Sequence, residues 1–309
     1  MSATEKNEFR ELSEPEGLAR RLFTHVDHLA GLIGPRPSSH LKMFEAAAGY
    51  IEREFQNLGD AVEREWYDAG VAAPVSNLVV TRRGTCRPDE VIVLGAHYDT
   101  VSTTPGADDN ASAVAVLIEV ARLLQGRPFQ RTVRFVAFAC EEPPHFHTMT
   151  MGSQYHARQC RVRDEKILGM LCLEMVGYFS TAENSQQVPP AIPKLLRGVI
   201  PTRGDFLAAV SNLSSWRLLR AFQTGFRKSS ELPLFPIALP ENISEIRLSD
   251  QSSFWDQGYP ALMLTDTSFL RNPHYHEPTD TPETLDYPRM AQVTQGVVGA
   301  LGRLAKPET

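Results

Sequence analysis

Residues 91–110 read VIVLGAHYDTVSTTPGADDN, and this stretch decides the fold. The apolar, β-branched run at its start predicts a buried strand, and the apolar residues 111–124 that follow it predict a helix. His97, Asp99 and the acidic pair at 108–109 therefore fall in the loop between a strand and a helix. In open α/β sheets, the crevice beyond the carboxyl ends of the strands is where ligands bind. Imidazole and carboxylate groups in that crevice indicate a metal site, because both suit zinc.

Strands and helices alternate along the rest of the chain, with apolar runs predicting strands and amphipathic stretches predicting helices. The predicted strands are 77–81, 91–94, 132–139, 168–173, 205–210 and 261–264, and the predicted helices are 16–32, 40–58, 111–124, 216–228 and 290–304. This order predicts an α/β fold in which a mixed, mostly parallel central sheet is sandwiched between helices. We expect a single domain over residues 1–309, with a disordered tail at 1–14 and a surface excursion at 180–204.

Composition and charge disfavour several classes of protein. The 309 residues carry a net charge of −6 and contain no Lys/Arg-rich block, which argues against nucleic acid as a partner. No apolar run approaches the roughly 20 residues that a membrane span needs, and the polar start has no apolar signal-peptide core. The four cysteines are widely spaced, without a C-x-x-C pair, as in reduced proteins. We expect a cytoplasmic protein that binds no membrane, and the sequence sets no oligomeric state.

Four further candidate metal ligands or catalytic groups follow other predicted strands. Glu141 and Glu142 directly follow one strand, Glu174 follows another, and His276 lies in a loop beyond the last strand. Singly, such residues are usually solvated surface groups, and Asp109 alone could cap a helix. Together at one edge of a sheet they are hard to obtain by chance. Adjacent side chains at a strand end point in different directions, so one glutamate of the pair can bind metal while the other acts as general base.

These residues occur in ordered motifs through which the chain, over residues 15–305, resembles the two-zinc aminopeptidases related to bacterial leucyl aminopeptidases and glutamate carboxypeptidase. The motifs are Gly-Ala-His97-Tyr-Asp99, Gly-Ala-Asp-Asp109-Asn-Ala-Ser, Ala-Cys-Glu141-Glu142, Leu-Glu174-Met-Val-Gly, Ser249-Asp250-Gln251-Ser-Ser-Phe and His276-x-x-x-Asp280-Thr281. The resemblance implies the zinc exopeptidase fold. It also implies a metallopeptidase that hydrolyses bonds at chain ends, with a peptide or small amide as substrate.

The resemblance further implies a role for each matching residue. The implied ligands are His97, Asp109 and Glu174 for the first zinc, and Asp109, Glu142 and His276 for the second. A water between the two ions would become the bridging hydroxide nucleophile, with Glu141 as its general base. Asp99 would hydrogen-bond the free nitrogen of His97, and Tyr275 would hydrogen-bond the developing oxyanion. Cobalt or manganese could replace zinc at the same ligands.

Some positions depart from the family pattern. Glu174 stands where short aminopeptidases often carry Asp, and Gln251 stands where His is frequent. The family's Gly-Ser pair arrives late, as Gly152-Ser153, which makes 143–151 an insertion at the mouth of the site. The insertion is either a specificity lid or an inert loop.

Other functions stay open beside the leading interpretation, an aminopeptidase. Glu174 is compatible with a carboxypeptidase or an N-acyl amino acid hydrolase on the same scaffold. A glutaminyl cyclase, which is a single-zinc acyltransferase, shares the fold. A metal-free, non-enzymatic scaffold is disfavoured because no expected ligand is altered.

Several neighbouring residues have weaker expected roles. Ser249 and Asp250 are further candidates for orienting metal ligands, and Asp280 is expected to stabilise its own loop. Phe254 and Trp255 are expected to pack in the core rather than to line a pocket. The loops expected to set specificity are 143–151, 178–204 and 266–274.

Overall fold

The computed structural model describes residues 14–189, 192 and 197–306, in which eight strands form one sheet. The strands are β1 (Val62–Tyr67), β2 (Val75–Arg82), β3 (Arg87–His97), β4 (Arg131–Phe138), β5 (Lys166–Glu174), β6 (Leu207–Asn212), β7 (Leu234–Leu239) and β8 (Ala261–Thr265). Their order across the sheet is β1-β2-β4-β3-β5-β8-β6-β7. β3 runs parallel to β4 and β5, β5 to β8, and β6 to β7, whereas the other three pairs are antiparallel. The expected mixed, mostly parallel sheet is confirmed.

Helices cover both faces of this sheet. They are α1 (Pro15–Val26), continued by a wider helical turn at Asp27–Ile33, α2 (Leu41–Asn57), α3 (Ala113–Leu123), α4 (Gly152–Val162), α5 (Trp216–Phe226), α6 (Gln251–Asp256) and α7 (Tyr287–Ala305). Apolar side chains of α1, α2, α3, α5 and α7 join one core cluster, and those of α4 and α6 join the other. The sheet therefore separates two cores.

The side-chain alternation of β3 shows how the sequence builds both cores. Ile92 and Leu94 belong to the larger cluster, whereas Val91 and Val93 belong to the smaller one. Successive side chains of a strand point to opposite faces, so a continuous apolar run is what a strand covered on both faces requires. The parallel strands β4, β3, β5 and β8 are neighbours. Their carboxyl ends consequently meet at one edge.

Every predicted strand and helix is present, with boundaries shifted by a few residues. The sequence interpretation missed β1, β7, α4 and α6. The surface excursion predicted at 180–204 is wrong in part. Among its described residues, Gln186 and Ile192 are buried, and apolar side chains there pack on the smaller core. The predicted tail at 1–14 lies outside the described residues, apart from Glu14.

A buried carboxylate joins helices α1 and α3 on the larger core side. Glu119 in α3 is fully buried and contacts Arg21 Nε at 2.7 Å, Arg122 Nε at 2.8 Å and His25 Nε2 at 3.2 Å. Burial alone would raise the pKa of Glu119, but these cationic partners lower it to about 2. The ionised form is therefore favoured in the folded chain.

We expect Glu119→Gln to lower the free energy of unfolding by about 2 kcal/mol, because it removes the charge of a fully buried acceptor that three side chains contact. Since the folded-state pKa is depressed, this contribution is present above the ordinary value of 4.5 and is lost as the pH falls towards about 2. Urea unfolding at neutral and acidic pH measures it. Glu54→Ala is the matched control, because Glu54 contacts the same Arg122, at 3.5 Å, from a more exposed position. It should cost less than about 1 kcal/mol, and an equal cost for both variants would contradict the prediction.

Candidate metal centre

The sequence-predicted site residues meet at the carboxyl edge of the parallel strands. His97 is the last residue of β3 and Glu174 the last of β5, whereas the pair Glu141-Glu142 follows β4 within a few residues. Asp109 lies in an irregular turn, Ala107–Ser112, that leads into α3. His276 comes from the loop between β8 and α7. The sheet edge thus brings together residues that are up to 179 positions apart in the sequence.

Five side chains form two overlapping triads that share Asp109. In the first triad, His97 Nε2 lies 3.3 Å from Asp109 Oδ1 and 3.4 Å from Glu174 Oε2. In the second, His276 Nε2 lies 3.1 Å from Asp109 Oδ2 and 3.3 Å from Glu142 Oε1. Within each triad, one potential ligand atom per residue lies within 4.8 Å of the others. Each oxygen of Asp109 therefore faces a different triad.

Several polar atoms of these triads lack hydrogen-bond partners among the described residues. Among the described residues, the buried side-chain atoms without a partner include Nε2 of His97 and His276, Oδ1 of Asp109 and Oε1 of Glu142. Leaving such atoms buried and unsatisfied is unfavourable, and native proteins rarely do so. Nitrogen and oxygen donors converging at this spacing are what zinc binds. The residues present therefore fit a metal centre.

The titration behaviour of the triads follows from burial and mutual charge. Burial alone would raise the pKa of Asp109, but the imidazoles of His276 and His97 hold it well below its usual range. Burial alone would lower the pKa of His276, but the carboxylates of Asp109 and Glu142 face its imidazole and raise the pKa to about 10. Burial and the charge of Asp109 raise the pKa of Glu142 to about 7.

Asp99 is positioned to orient the glutamate pair. Its Oδ1 accepts a hydrogen bond from the backbone N–H of Glu141 at 3.0 Å, and its Oδ2 accepts one from that of Glu142 at 3.1 Å. Its Oδ1 lies 3.5 Å from Nδ1 of His97, which is longer than an ordinary hydrogen bond. The main hydrogen bonds of Asp99 therefore go to the backbone of the glutamate pair. The resemblance implied instead a hydrogen bond to His97.

Ser249 and Asp250 behave differently although they are adjacent. The Ser249 hydroxyl donates to Oε2 of Glu174 at 2.5 Å, which is the geometry of a residue that orients a ligand. Asp250 is fully buried, and within the described part of the chain neither of its carboxylate oxygens has a hydrogen-bond partner. Burial raises the pKa of Asp250 to about 7, although the charge of His97 opposes the shift.

The expectation that Asp280 stabilises its own loop is wrong. Its carboxylate accepts hydrogen bonds from the backbone N–H groups of Asp108, at 2.9 Å, and Asp109, at 3.1 Å. The carboxylate therefore anchors the turn that carries the shared residue of the two triads. The turn leaves these N–H groups without backbone partners, and a buried carboxylate from a distant loop satisfies them.

Arg36 is a site residue that sequence reasoning missed. Its fully buried guanidinium donates to the carbonyl oxygens of Tyr98 at 2.7 Å, Pro105 at 2.6 Å and Gly106 at 2.9 Å. Burial lowers its pKa to about 10, and the nearby carboxylates oppose that shift. Arg36 therefore fixes the loop between His97 and Asp109. Its position in a Gly-Pro-Arg-Pro run was a signal only for a helix break.

A cavity of about 310 Å³ opens from the metal centre. Its walls come from β6, β7 and β8, from the turn around Ser244–Arg247, and from the three loops expected to set specificity. Apolar side chains such as Val210, Ile237 and Met263 dominate these walls. Phe254 and Trp255 are absent from the cavity and lie in the smaller core, as expected.

Tyr275 and the insertion lie at this cavity. The Tyr275 ring stacks on His276, with centroids 3.8 Å apart, and lines the cavity beside the second triad. Pro143 and Phe146 bring the insertion into the wall as well. His145 and His147 belong to neither triad.

An α/β sheet with paired carboxylate–histidine triads at its carboxyl edge is the architecture of a metal-dependent enzyme. Comparison with known sequences makes the assignment specific. The chain belongs to peptidase family M28, whose sequence model matches residues 77–301.

Two groups of relatives differ in the extent of the match. An uncharacterised protein of Escherichia coli (strain K12), YfbL, is 37% identical over 286 residues, which cover 89% of this chain and 85% of its own. Leucine aminopeptidase 1 of Trichophyton rubrum is 26% identical over 84% of this chain and 67% of its own. By contrast, the chain spans about half the length of the probable zinc metalloproteases of Leptosphaeria maculans and Pyricularia oryzae that it matches.

Solved structures share the fold at low sequence identity. LapB of Legionella pneumophila has a TM-score of 0.75 at 20% identity, covering 99% of this chain and 75% of that one. A zinc aminopeptidase from Bacillus subtilis has a TM-score of 0.71 at 16% identity, covering 93% and 95%. The glutaminyl cyclase of Porphyromonas gingivalis has a TM-score of 0.68 at 18% identity, covering 93% and 98%. At these identities the likeness concerns the fold alone. In the part of the chain that the structure describes, no helix is both long and apolar enough to span a membrane.

Proposed function

We propose that this chain is an aminopeptidase that uses two zinc ions to remove residues from the amino end of peptides. The observation that carries the proposal is the charge of the cavity beside the metal centre. Among the described residues that line it there is no arginine or lysine. The carboxyl groups that line it are those of Asp109, Glu141, Glu142, Glu174 and Glu245.

A cavity with apolar walls and no lining arginine or lysine suits one end of a peptide better than the other. The charges of two zinc ions would offset those of the carboxylates that hold them. A free α-amine, which is a cation, still meets no basic side chain among the described lining residues, and an attached apolar side chain can pack against walls such as Val210 and Met263. A carboxypeptidase must instead hold the terminal carboxylate of its substrate, for which arginine is the usual bidentate partner. We therefore expect preference for large apolar amino-terminal residues.

In this proposal each triad would hold one zinc, and Asp109 presents a different carboxylate oxygen to each triad. Zinc at these ligands would lower the pKa of a water and polarise the scissile carbonyl. His97 and Glu174 complete the first site, and Glu142 and His276 complete the second. Ser249 orients Glu174 through its 2.5 Å hydrogen bond.

Glu141 belongs to neither triad yet faces the cavity, so it is free to move protons. Burial raises its pKa, and the charges of Glu174 and Glu142 add to this effect, although His97 opposes it. A carboxyl group tuned in this way accepts a proton from the attacking water and returns it to the leaving amine. The peptide C–N bond breaks, and the water oxygen remains in the new carboxylate.

Tyr275 is the proposed donor to the carbonyl oxygen. Burial and the surrounding carboxylates raise its pKa, so the hydroxyl stays protonated at neutral pH. Its stacking on His276 fixes the ring beside the second triad. A fixed donor of this kind stabilises the negative charge that develops on the oxygen during attack.

Asp99 acts in this scheme as a positioning residue. The two carboxylate oxygens of Asp99 accept hydrogen bonds from two backbone N–H groups. Asn at this position keeps one acceptor oxygen but places an NH₂ group, which cannot accept, against the other N–H. We expect Asp99→Asn to lower kcat/KM by about 10–100-fold, which is the usual effect of losing a residue that orients metal ligands. Steady-state kinetics with zinc analysis measures this. Asp89→Asn, at the exposed opposite end of β3, is the control, and equal kinetics in both variants would contradict the role.

Incubation of zinc-loaded protein with a peptide pool tests the function. Half of the pool carries free amino termini and half carries the same peptides acetylated, and mass spectrometry identifies the products. The proposal predicts stepwise loss of amino-terminal residues from the free peptides, large apolar residues first, and no reaction of the acetylated ones. Glu141→Gln serves as the inactive control.

Each rival function gives a different product in the same experiment. Loss of residues from the carboxyl end, or release of acetate, would replace the aminopeptidase by a carboxypeptidase or N-acyl hydrolase. Loss of ammonia from peptides with amino-terminal glutamine, without any cleavage, would replace it by a cyclase, the activity of the Porphyromonas gingivalis protein that shares the fold.

A further inference from the structure

We propose that Phe146 determines which amino-terminal side chains the cavity accepts, and that His147 positions it. The proposal rests on the proposed function. Phe146 belongs to the insertion at 143–151, which begins directly after Glu142. Pro143 and Phe146 both line the cavity, so the insertion is part of the wall nearest in sequence to the second triad.

The base of the insertion is fixed to the rest of the protein. The imidazole of His145 is buried, with Nε2 2.9 Å from the Ser38 hydroxyl and Nδ1 2.9 Å from the Thr150 hydroxyl. The Thr148 hydroxyl donates to the His145 carbonyl at 2.6 Å. These hydrogen bonds use both ring nitrogens of His145. Its role is therefore to hold the loop.

The tip of the insertion is tied to a second wall of the cavity. The rings of Phe146 and His147 stack, with centroids 4.0 Å apart and an interplanar angle of 19°. His147 Nε2 lies 2.8 Å from the carbonyl oxygen of Arg247, so this nitrogen carries the donated hydrogen. The turn that ends at Arg247 contributes Glu245 and Ile246 to the cavity. The imidazole of His147, which is anchored to the Arg247 carbonyl, therefore packs against one face of the Phe146 ring.

Unlike the strand residues of the wall, Phe146 can be shortened without altering the sheet. Val210, Ile237 and Met263 belong to paired strands of the sheet, and a change in any of them alters the smaller core or its border. Phe146 is half-buried, and neither core cluster includes it. Shortening its side chain therefore enlarges the cavity next to the metal centre and leaves sheet pairing unchanged.

The experiment measures kcat/KM for zinc-loaded variants on aminoacyl coumarin amides of Ala, Leu, Phe and Trp. Because one methylene in an apolar pocket changes kcat/KM by about 10–200-fold, Phe146→Ala should raise the Trp-to-Leu ratio by about tenfold or more. His147→Ala should move the ratio in the same direction. His147→Gln can still donate to the Arg247 carbonyl but lacks the stacked ring, so its ratio should lie between those of the wild type and His147→Ala. Met149→Ala is the matched control, because Met149 is 60% exposed in the same insertion and does not line the cavity.

The outcomes separate this proposal from the function on which it rests. A wild-type protein that hydrolyses the amides, combined with a Phe146→Ala ratio equal to that of Met149→Ala, overturns only the role of Phe146. If the wild type hydrolyses none, the aminopeptidase proposal fails, and binding of the neutral apolar fluorophore N-phenyl-1-naphthylamine gives the second readout. A change of about tenfold in its Kd for Phe146→Ala alone then supports Phe146 as the cavity wall, and an unchanged Kd overturns it. Thermal unfolding and zinc content verify that each variant is folded and loaded.

Discussion

Glu141→Gln should retain zinc and lower kcat by about 10²–10⁴-fold, the contribution of a positioned general base. The substitution keeps the shape of the side chain but removes its ability to accept a proton. Glu141 stands outside both triads, although its Oε2 lies 3.9 Å from Nε2 of His97. Loss of its charge should therefore leave the ligand atoms in place. Steady-state kinetics and elemental analysis of the same sample give the two quantities.

The adjacent residue provides the matched control. Glu142 contacts His276 at 3.3 Å within the second triad, so Glu142→Gln should lose zinc as well as turnover. Two neighbouring glutamates would then give opposite zinc contents and the same loss of rate. If Glu141→Gln kept its turnover, Glu141 would not be the base. If it lost zinc as Glu142→Gln does, its role would be that of a ligand.

Asp109→Asn should abolish activity and reduce bound zinc below one ion per chain, because Asp109 belongs to both triads. Asn offers one weak oxygen donor where the carboxylate presents one oxygen to each imidazole, at 3.3 and 3.1 Å. Competitive titration of the metal-free protein with zinc, followed by elemental analysis, counts the ions. Wild-type protein should bind two.

His276→Ala distinguishes a shared ligand from an ordinary one. It removes a member of the second triad alone, so the first triad should still hold one zinc. A graded series of about two, one and fewer than one ions for wild type, His276→Ala and Asp109→Asn is the expected result for two sites sharing a carboxylate. Equal zinc content in the two variants would contradict the sharing, and a single ion in the wild type would contradict the second site.

The central strands were predictable because a strand that is buried on both faces has a continuous apolar sequence. A stretch such as 91–94 is apolar throughout, and only a strand or helix buried all round has that composition. The edge strands lack such a recognisable sequence pattern. β1 reads Val-Glu-Arg-Glu-Trp-Tyr and β7 contains Pro236, and both owe their conformation to a neighbour in the sheet. Strand preference at an edge depends on that context more than on the residues themselves.

The five triad residues were predictable because each follows a predicted strand or opens a predicted helix. Parallel strands put their carboxyl ends at one edge, so sequence position alone indicated proximity. No sequence pattern indicated that Asp280 anchors the turn or that Arg36 anchors the loop. Both bind backbone groups, which every residue has, across 171 positions for Asp280 and Asp109 and 70 for Arg36 and Gly106. The sequence therefore indicated which side chains come together, and the structure adds what holds their backbone in place.

The hydrogen bonds between Asp280 and the backbone of Asp108 and Asp109 bear on the order in which the two triads assemble during synthesis. The shared carboxylate is translated within the first half of the chain, whereas the loop that holds it, and His276 beside it, is translated near residue 280. While residues up to 250 are emerging from the ribosome, the second triad lacks its histidine and the turn lacks its anchor. A stalled or truncated product that stops short of this loop therefore lacks one member of the second triad and the anchor of the turn that carries Asp109.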